Sequence, residues 1–192
     1  MRMTDFVIGA LLLLAAAALP SADAGLQGTA WVGEHREANV VVWVDAPRAP
    51  VLPTPARVVL DQRNLAFSPK VVAVRVGTSV EFPNNDRVFH NVFSWRDGKR
   101  FNLGMYPVGA IKRETFDRPG LSRIFCNIHP NMAAYVLAVD SSYFGVSDAR
   151  GAFTLPLLPA GTYTYHAWRP GGATLTGSMS LDHVTPVEVR WP

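Results

Sequence analysis

Residues 125–132 read Phe-Cys-Asn-Ile-His-Pro-Asn-Met and hold the only cysteine of the chain, with a histidine three residues on and a methionine three beyond that. A thiolate, an imidazole and a thioether on one short loop are soft and borderline donors, the set that suits copper. Copper in such surroundings takes a trigonal plane of two histidines and one cysteine with a weak methionine on the axis. The loop supplies Cys126, His129 and Met132, so one more histidine has to arrive from elsewhere. His90 is the candidate, because it follows a well-patterned strand and the turn residues Asn84, Asn85 and Asp86. Taken singly, each residue has an ordinary explanation: a buried thiol, a surface imidazole, a gap-filling thioether. Their joint spacing is what points to a metal. Pro130 stiffens the loop, since the residue before a proline is confined to extended conformations.

The elements that must position these side chains are strands. Val72, Val74 and Val76 alternate with Ala73 and Arg75, the period of a half-buried strand. Gly77-Thr78 makes a turn, Val80 and Phe82 continue on one face of the next strand, and Pro83 ends it. Pro119-Gly120 turns the chain into a strand over residues 121–126 that delivers the thiolate. Tyr135, Leu137 and Val139 alternate with Val136 and Ala138 as a closing strand. Residues 97–112 read as the variable, loop-like part. Phe93, Trp95 and Phe101 are candidate walls for the site, with ordinary core packing as the default expectation.

On these residues the chain resembles the cupredoxins, the small blue-copper electron carriers of plastocyanin and amicyanin type. The resemblance covers roughly residues 58–140 and rests on Phe67-x-Pro69, Val76-Gly77-x-x-Val80-x-Phe82-x-Asn84, His90-Asn91-Val92 and the Cys-x2-His-x2-Met loop. It implies a Greek-key β-sandwich with one type 1 copper ion held by His90, Cys126, His129 and Met132. It also implies that Asn91 ties the two ligand loops together near the sulfur. The short loop with Pro130 after the histidine is similar to that of amicyanin. Ala134 stands where the family commonly has glycine, a departure that concerns packing under the loop. Exported chains similar to this one carry a methylamine-utilisation label, which names neither donor nor acceptor.

The flanks have a different character. Residues 25–46 read as two strands around a polar turn at residues 34–37, and residues 40–44 form an apolar run typical of a strand buried on both faces. Residues 47–55 hold four prolines and read as a semi-rigid connector. The segments around 148–153 and 158–163 look like a carboxypeptidase regulatory-like, or transthyretin-like, β-sandwich. We therefore expect residues 25–46 and 141–192 to form one split sandwich, residues 47–57 a connector, and residues 58–140 an inserted copper unit. A single larger sandwich with extra strands is the rival organisation. His35, His166 and His183 read as non-ligands.

Residues 1–24 are set apart: Arg2, an apolar run over residues 6–19 and then Ala22-Asp23-Ala24 describe a secretory signal peptide cleaved before Gly25. The run is short for a membrane span, which takes about 20 residues, and no cysteine follows it as a lipoprotein anchor would require. An uncleaved anchor is the rival reading. Export gives the lone cysteine meaning, because free thiols in an oxidising compartment are prone to oxidation unless a metal holds them. Losing Arg2, Asp5 and Asp23 takes the 18 basic and 15 acidic side chains to 17 and 13, a net of +4. Without a dense basic stripe, nucleic acid is a poor fit.

These readings converge on an all-β, periplasmic or otherwise exported electron carrier that is not an enzyme. Its partners would be redox proteins such as a dehydrogenase or a c-type cytochrome, with no membrane span after signal cleavage. The resemblance implies an electron exit at the His129 edge, with Met105, Pro107, Ile128 and Pro130 as candidate members of an apolar patch. Lys99-Arg100 and Lys112-Arg113 are either a steering rim or, by default, solvated charges. A copper oxidase or nitrite reductase fragment would need further copper ions and a His-Cys-His signal, yet Phe125 and Asn127 flank the cysteine and the chain has five histidines. Copper binding for transport and a metal-free interaction module compete with the electron-carrier reading.

Overall fold

The structure, a computed structural model, describes residues 24–95, 97–181 and 186–192. Apart from Ala24, the expected signal peptide lies outside the described residues, as does His183. The described chain is all-β, with no helix. It enters through β1 (Ala24–Val32), the two-residue β2 (His35–Arg36) and β3 (Val41–Asp45). Next come β4 (Val58–Val59), β5 (Asp61–Arg63), β6 (Ala66–Ser68), β7 (Val71–Arg75) and β8 (Thr78–Pro83). They are followed by β9 (His90–Ser94), β10 (Phe101–Tyr106), β11 (Ile111–Phe116), β12 (Gly120–Phe125) and β13 (Ala133–Val139). The chain closes with β14 (Phe144–Val146), β15 (Ala152–Leu158), β16 (Thr162–Trp168), β17 (Leu175–Ser180) and β18 (Val187–Trp191).

β4 to β13 fold into two facing sheets, one in the order β10-β9-β12-β13-β7 and one in the order β11-β8-β4, with the β5-β6 hairpin beside them. Period-two alternation decides which side chains lie between the sheets. Val72 and Val74 of β7, Val80 and Phe82 of β8, Ile124 of β12, and Ala134, Val136 and Ala138 of β13 share one buried cluster with Cys126 and Met132. The strands before and after this unit make two further sheets, β15-β1-β18 with β2 on its edge and β14-β3-β16-β17. Val40, Val42 and Val44 enter the second cluster between those two, together with Leu26, Phe153, Leu155 and Val189.

A third cluster joins the two sets of sheets. It consists of Val41, Val71, Leu137, Val139 and Trp168, with Trp43, Ala73 and Tyr135 packed against it. Along β3, β7 and β13 these residues alternate with those that line the other cores, so the three strands are covered on both faces. The unbroken apolar run at residues 40–44 is thereby explained. For β7 the half-buried expectation is corrected: Val71 is buried on the face opposite Val72 and Val74.

Three other expectations change. Residues 97–112 contain β10 and the start of β11 rather than loop alone. The strand signal there is broken because a register shift separates Asn102 from Met105, with Gly104 between them at φ 68°, a backbone state open chiefly to glycine. Residues 34–37 are partly strand, with His35 and Arg36 pairing back onto β1. The proline-rich connector is docked, since the Leu52 N–H donates to Ser142 Oγ at 3.2 Å and Tyr143 Oη donates to the Pro50 carbonyl at 2.8 Å.

Candidate metal centre

His90 opens β9, and Cys126 directly follows β12. The two strands are neighbours in the five-stranded sheet, with Phe125 opposite Phe93, so their ends bring the imidazole and the thiol to one edge. The loop from Cys126 to Met132 closes on itself. The Met132 N–H donates to the His129 carbonyl at 2.9 Å, and the Cys126 N–H to the Met132 carbonyl at 3.4 Å. This turn returns His129 over the thiol.

Cys126 Sγ stands 3.8 Å from His90 Nδ1 and 3.6 Å from His129 Nδ1, and the two Nδ1 atoms are 3.0 Å apart. The imidazole rings meet edge to face, with centroids 4.7 Å apart. Among the described residues, these three form a group whose donor atoms lie close enough together to hold a metal ion. A donor set fits a metal when its spacing matches the bonds required. Nitrogens about 2.0 Å and a thiolate about 2.3 Å from one first-row ion sit roughly 3–4 Å from each other, as these do. The donors, one soft thiolate and two imidazoles, are those of a copper or zinc site.

Burial protects this corner. His90 is fully buried, Cys126 is 4 % exposed and Met132 is 1 % exposed, whereas His129 is half-buried and Pro130 exposed. The backbone N–H of Asn91 donates to Cys126 Sγ at 3.5 Å, which stabilises negative charge on the sulfur. The expected link through Asn91 is thus made by its main chain, and its side-chain Oδ1 is buried without a hydrogen-bond partner. Met132 shares the cluster beneath the site with Cys126, Tyr106 and Phe82. Of the aromatic residues considered as walls, Phe101 packs on Phe82 and Phe116, and Phe93 packs on Phe125. Trp95 is 69 % exposed.

The loop before His90 is built by Asn84. Its Oδ1 accepts from the Asp86 N–H at 3.1 Å, while its Nδ2 donates to the carbonyls of Val88 at 2.8 Å and Tyr106 at 3.2 Å. Asp86 then reaches the far side of the His90 ring: Oδ2 lies 3.0 Å from His90 Nε2 and also accepts the Leu65 N–H at 2.7 Å. The Leu65 amide, followed by His90 and the Arg87 amide, holds the Asp86 carboxyl down at about 2 against the opposing effect of burial. From sequence alone Asp86 is only a turn residue. The available signal was a carboxylate four residues before a candidate ligand.

Elsewhere, His166 lies between Asp45 Oδ2 at 2.9 Å and Thr176 Oγ1 at 3.0 Å and stacks on Trp43. These contacts make it part of a surface network. His35 is exposed on the edge strand β2.

Strand order, sandwich core and the His-Cys-His corner together describe a two-sheet β-sandwich with a candidate metal corner at one edge, the architecture that the resemblance to cupredoxins implies. No family model matches the chain, and no curated protein matches it. Among solved structures, it is similar to a novel purple cupredoxin from Nitrosopumilus maritimus, at 26% identity over 43% of this chain and 99% of that one, with a TM-score of 0.40. An amicyanin from Paracoccus versutus aligns at 22% identity over 51% of this chain and 97% of that one, with a TM-score of 0.41. A copper-containing nitrite reductase from Thermus scotoductus SA-01 aligns at 28% identity and a TM-score of 0.42. That match takes in 50% of this chain and 25% of the reductase.

Proposed function

We propose that this chain is an exported type 1 copper protein that carries single electrons between redox partners and is not itself an enzyme. The observation that carries the reading is the buried meeting of Cys126 Sγ with the Nδ1 atoms of His90 and His129. In this reading those three atoms would hold a copper ion, with the Met132 thioether as a further, weaker donor. Bound copper supplies the one-electron couple.

The chain's own residues do the rest. Cys126 is the strong donor, and the Asn91 N–H tempers its charge. His90 anchors the site from the buried side, while Pro130 and the two loop hydrogen bonds keep the 126–132 turn rigid. A scaffold that resists rearrangement keeps the cost of changing oxidation state small. His129, half-buried, offers the path to solvent. Around it we assign a docking surface to Met105, 53 % exposed, and Ile128, 42 % exposed, with Pro107 and Pro130. The partner is a redox protein such as a dehydrogenase or a c-type cytochrome.

Residues 25–46 and 141–192 are read as one split, transthyretin-like sandwich carrying the 58–140 copper unit between its strands, joined by residues 47–57. The leader, residues 1–24, directs export to the periplasm. No helix among the described residues is long and apolar enough to cross a membrane.

Titrating the mature chain with Cu(II) tests the reading. One equivalent is expected to produce the intense visible sulfur-to-copper band of a blue site, and Cys126→Ser to abolish it. A weak, colourless complex would support transport instead, and no binding at all would support a metal-free interaction module.

A further inference from the structure

We infer that Asp86 is a positioning residue for the metal centre: its carboxylate fixes the proton of His90 on Nε2, presents Nδ1 as a bare lone pair, and holds the couple toward its oxidised state. The inference rests on the copper reading given above. Its basis is the contact between Asp86 Oδ2 and His90 Nε2 at 3.0 Å, on the side of the ring opposite Nδ1. A carboxylate only accepts, so the imidazole nitrogen facing it must donate. The other nitrogen, 3.8 Å from Cys126 Sγ and 3.0 Å from His129 Nδ1, is then the one free to bind. Orientation of a ligand histidine through its remote N–H is a general device of metal sites.

Asp86 is itself held by independent contacts. Its Oδ1 accepts the Arg87 N–H at 2.8 Å, and its Oδ2 also accepts the Leu65 N–H at 2.7 Å. Leu65 sits at φ 57° beside Asn64 at φ 54°, in the turn of the β5-β6 hairpin. Left-handed backbone is unfavourable for a leucine, and this conformation aims its amide at Asp86. The hairpin is stitched to the same loop by the Asn85 N–H on the Gln62 carbonyl at 3.0 Å and by Asn85 Nδ2 on Asp61 Oδ1 at 2.8 Å. A second sequence-distant element thereby braces His90. The Asp86 side chain is only 9 % exposed, so water screens its charge poorly. A fixed negative charge across the ring stabilises the more positive oxidation state.

The test uses the full mature chain as wild type and as Asp86→Asn, Asp86→Glu and Asp61→Asn. In the metal-free wild type, nitrogen-15 NMR of the histidines is expected to show neutral His90 protonated on Nε2. Asp86→Asn, whose amide oxygen can still accept both the Leu65 N–H and the Nε2–H, should keep that proton in place while removing the charge, and Asp86→Glu should keep both. In the copper-loaded proteins, Asp86→Asn is expected to shift the equilibrium with a redox mediator about tenfold toward Cu(I), which is about 59 mV for a one-electron couple. Asp61→Asn removes a nearby carboxylate that does not touch His90 and should shift it far less. A wild-type His90 proton on Nδ1, or equal potentials for the two Asn variants, overturns the inference. If Asp86→Asn does not fold, the wild-type spectrum alone still decides. Failure of every protein to form the visible band would sink the copper reading, while the metal-free spectra would still decide where Asp86 holds the His90 proton.

Discussion

At the scale of single residues, the centre is a set of side chains whose ordinary roles are overridden by their neighbours. A buried thiol beside two imidazole nitrogens is a poor arrangement for three lone pairs unless something positive sits among them. Met132 illustrates the division of labour, because it is both a core residue and the proposed axial donor. Met132→Leu nearly conserves volume, so the metal-free chain should lose less than about 1.5 kcal/mol in urea unfolding. The reduction potential of the copper-loaded protein should rise, since the oxidised ion loses a donor. Met132→Ala should cost about 2–5 kcal/mol through the cavity it leaves. An unchanged potential in the leucine variant would remove Met132 from the ligand set.

At the scale of elements, strands deliver the candidate ligands and a clamp keeps one sheet in register. Glu81 on β8 accepts from Arg57 Nε at 2.7 Å, next to β4, and from Arg113 Nη2 at 2.6 Å on β11. Hydrogen bonds from Arg57 and then Arg113 hold its carboxyl below the usual range. A lowered folded value means that this contribution is fully present above the ordinary carboxylate range, about pH 4, and is lost as the pH falls below it. Glu81→Gln should therefore give a shallower loss of stability on acidification than wild type. Urea unfolding at a series of pH values from neutral downward checks this, with parallel curves as the contrary result.

At the scale of the whole molecule, the third cluster makes the β4–β13 unit and the flanking sheets depend on one another. Trp168 from β16 is 7 % exposed and meets Tyr135 of β13 edge to face, with ring centroids 5.4 Å apart. Trp168→Ala should cost about 3–5 kcal/mol and split thermal unfolding into two transitions, where the wild type is expected to give one. Calorimetry of both proteins tests this. Charge is also settled at this scale. Lys99 Nζ lies 3.3 Å from Glu114 and 3.0 Å from Asp117, Arg113 is taken by Glu81, and Lys112 donates to the Leu103 carbonyl. With Lys99 and Arg113 paired to carboxylates, only part of the rim charge is left to steer, so electron exchange with a partner should vary by less than about threefold across the salt range in which fully steered association changes by 10-fold or more. Stopped-flow rates at several ionic strengths provide the check.

Much of this was legible in the chain itself. The candidate ligands His90, Cys126, His129 and Met132 were legible from their chemistry and spacing. The strands β7, β8, β12 and β13 were legible from alternation, because burial of one face imposes a period of two on local sequence. The both-sided burial of residues 40–44 was legible from their unbroken apolar run. What could not be read there depends on partners far along the chain. β10 was hidden by a bulge that breaks its alternation, and the second buried face of β7 appeared only once β14 and the third cluster closed over it. Asp86 looked like any turn acid until the Leu65 amide and the His90 ring were brought to its carboxylate. Residue types and periods are local quantities that composition records, whereas the direction of a hydrogen bond between residues 65, 86 and 90 exists only after the sheets have closed.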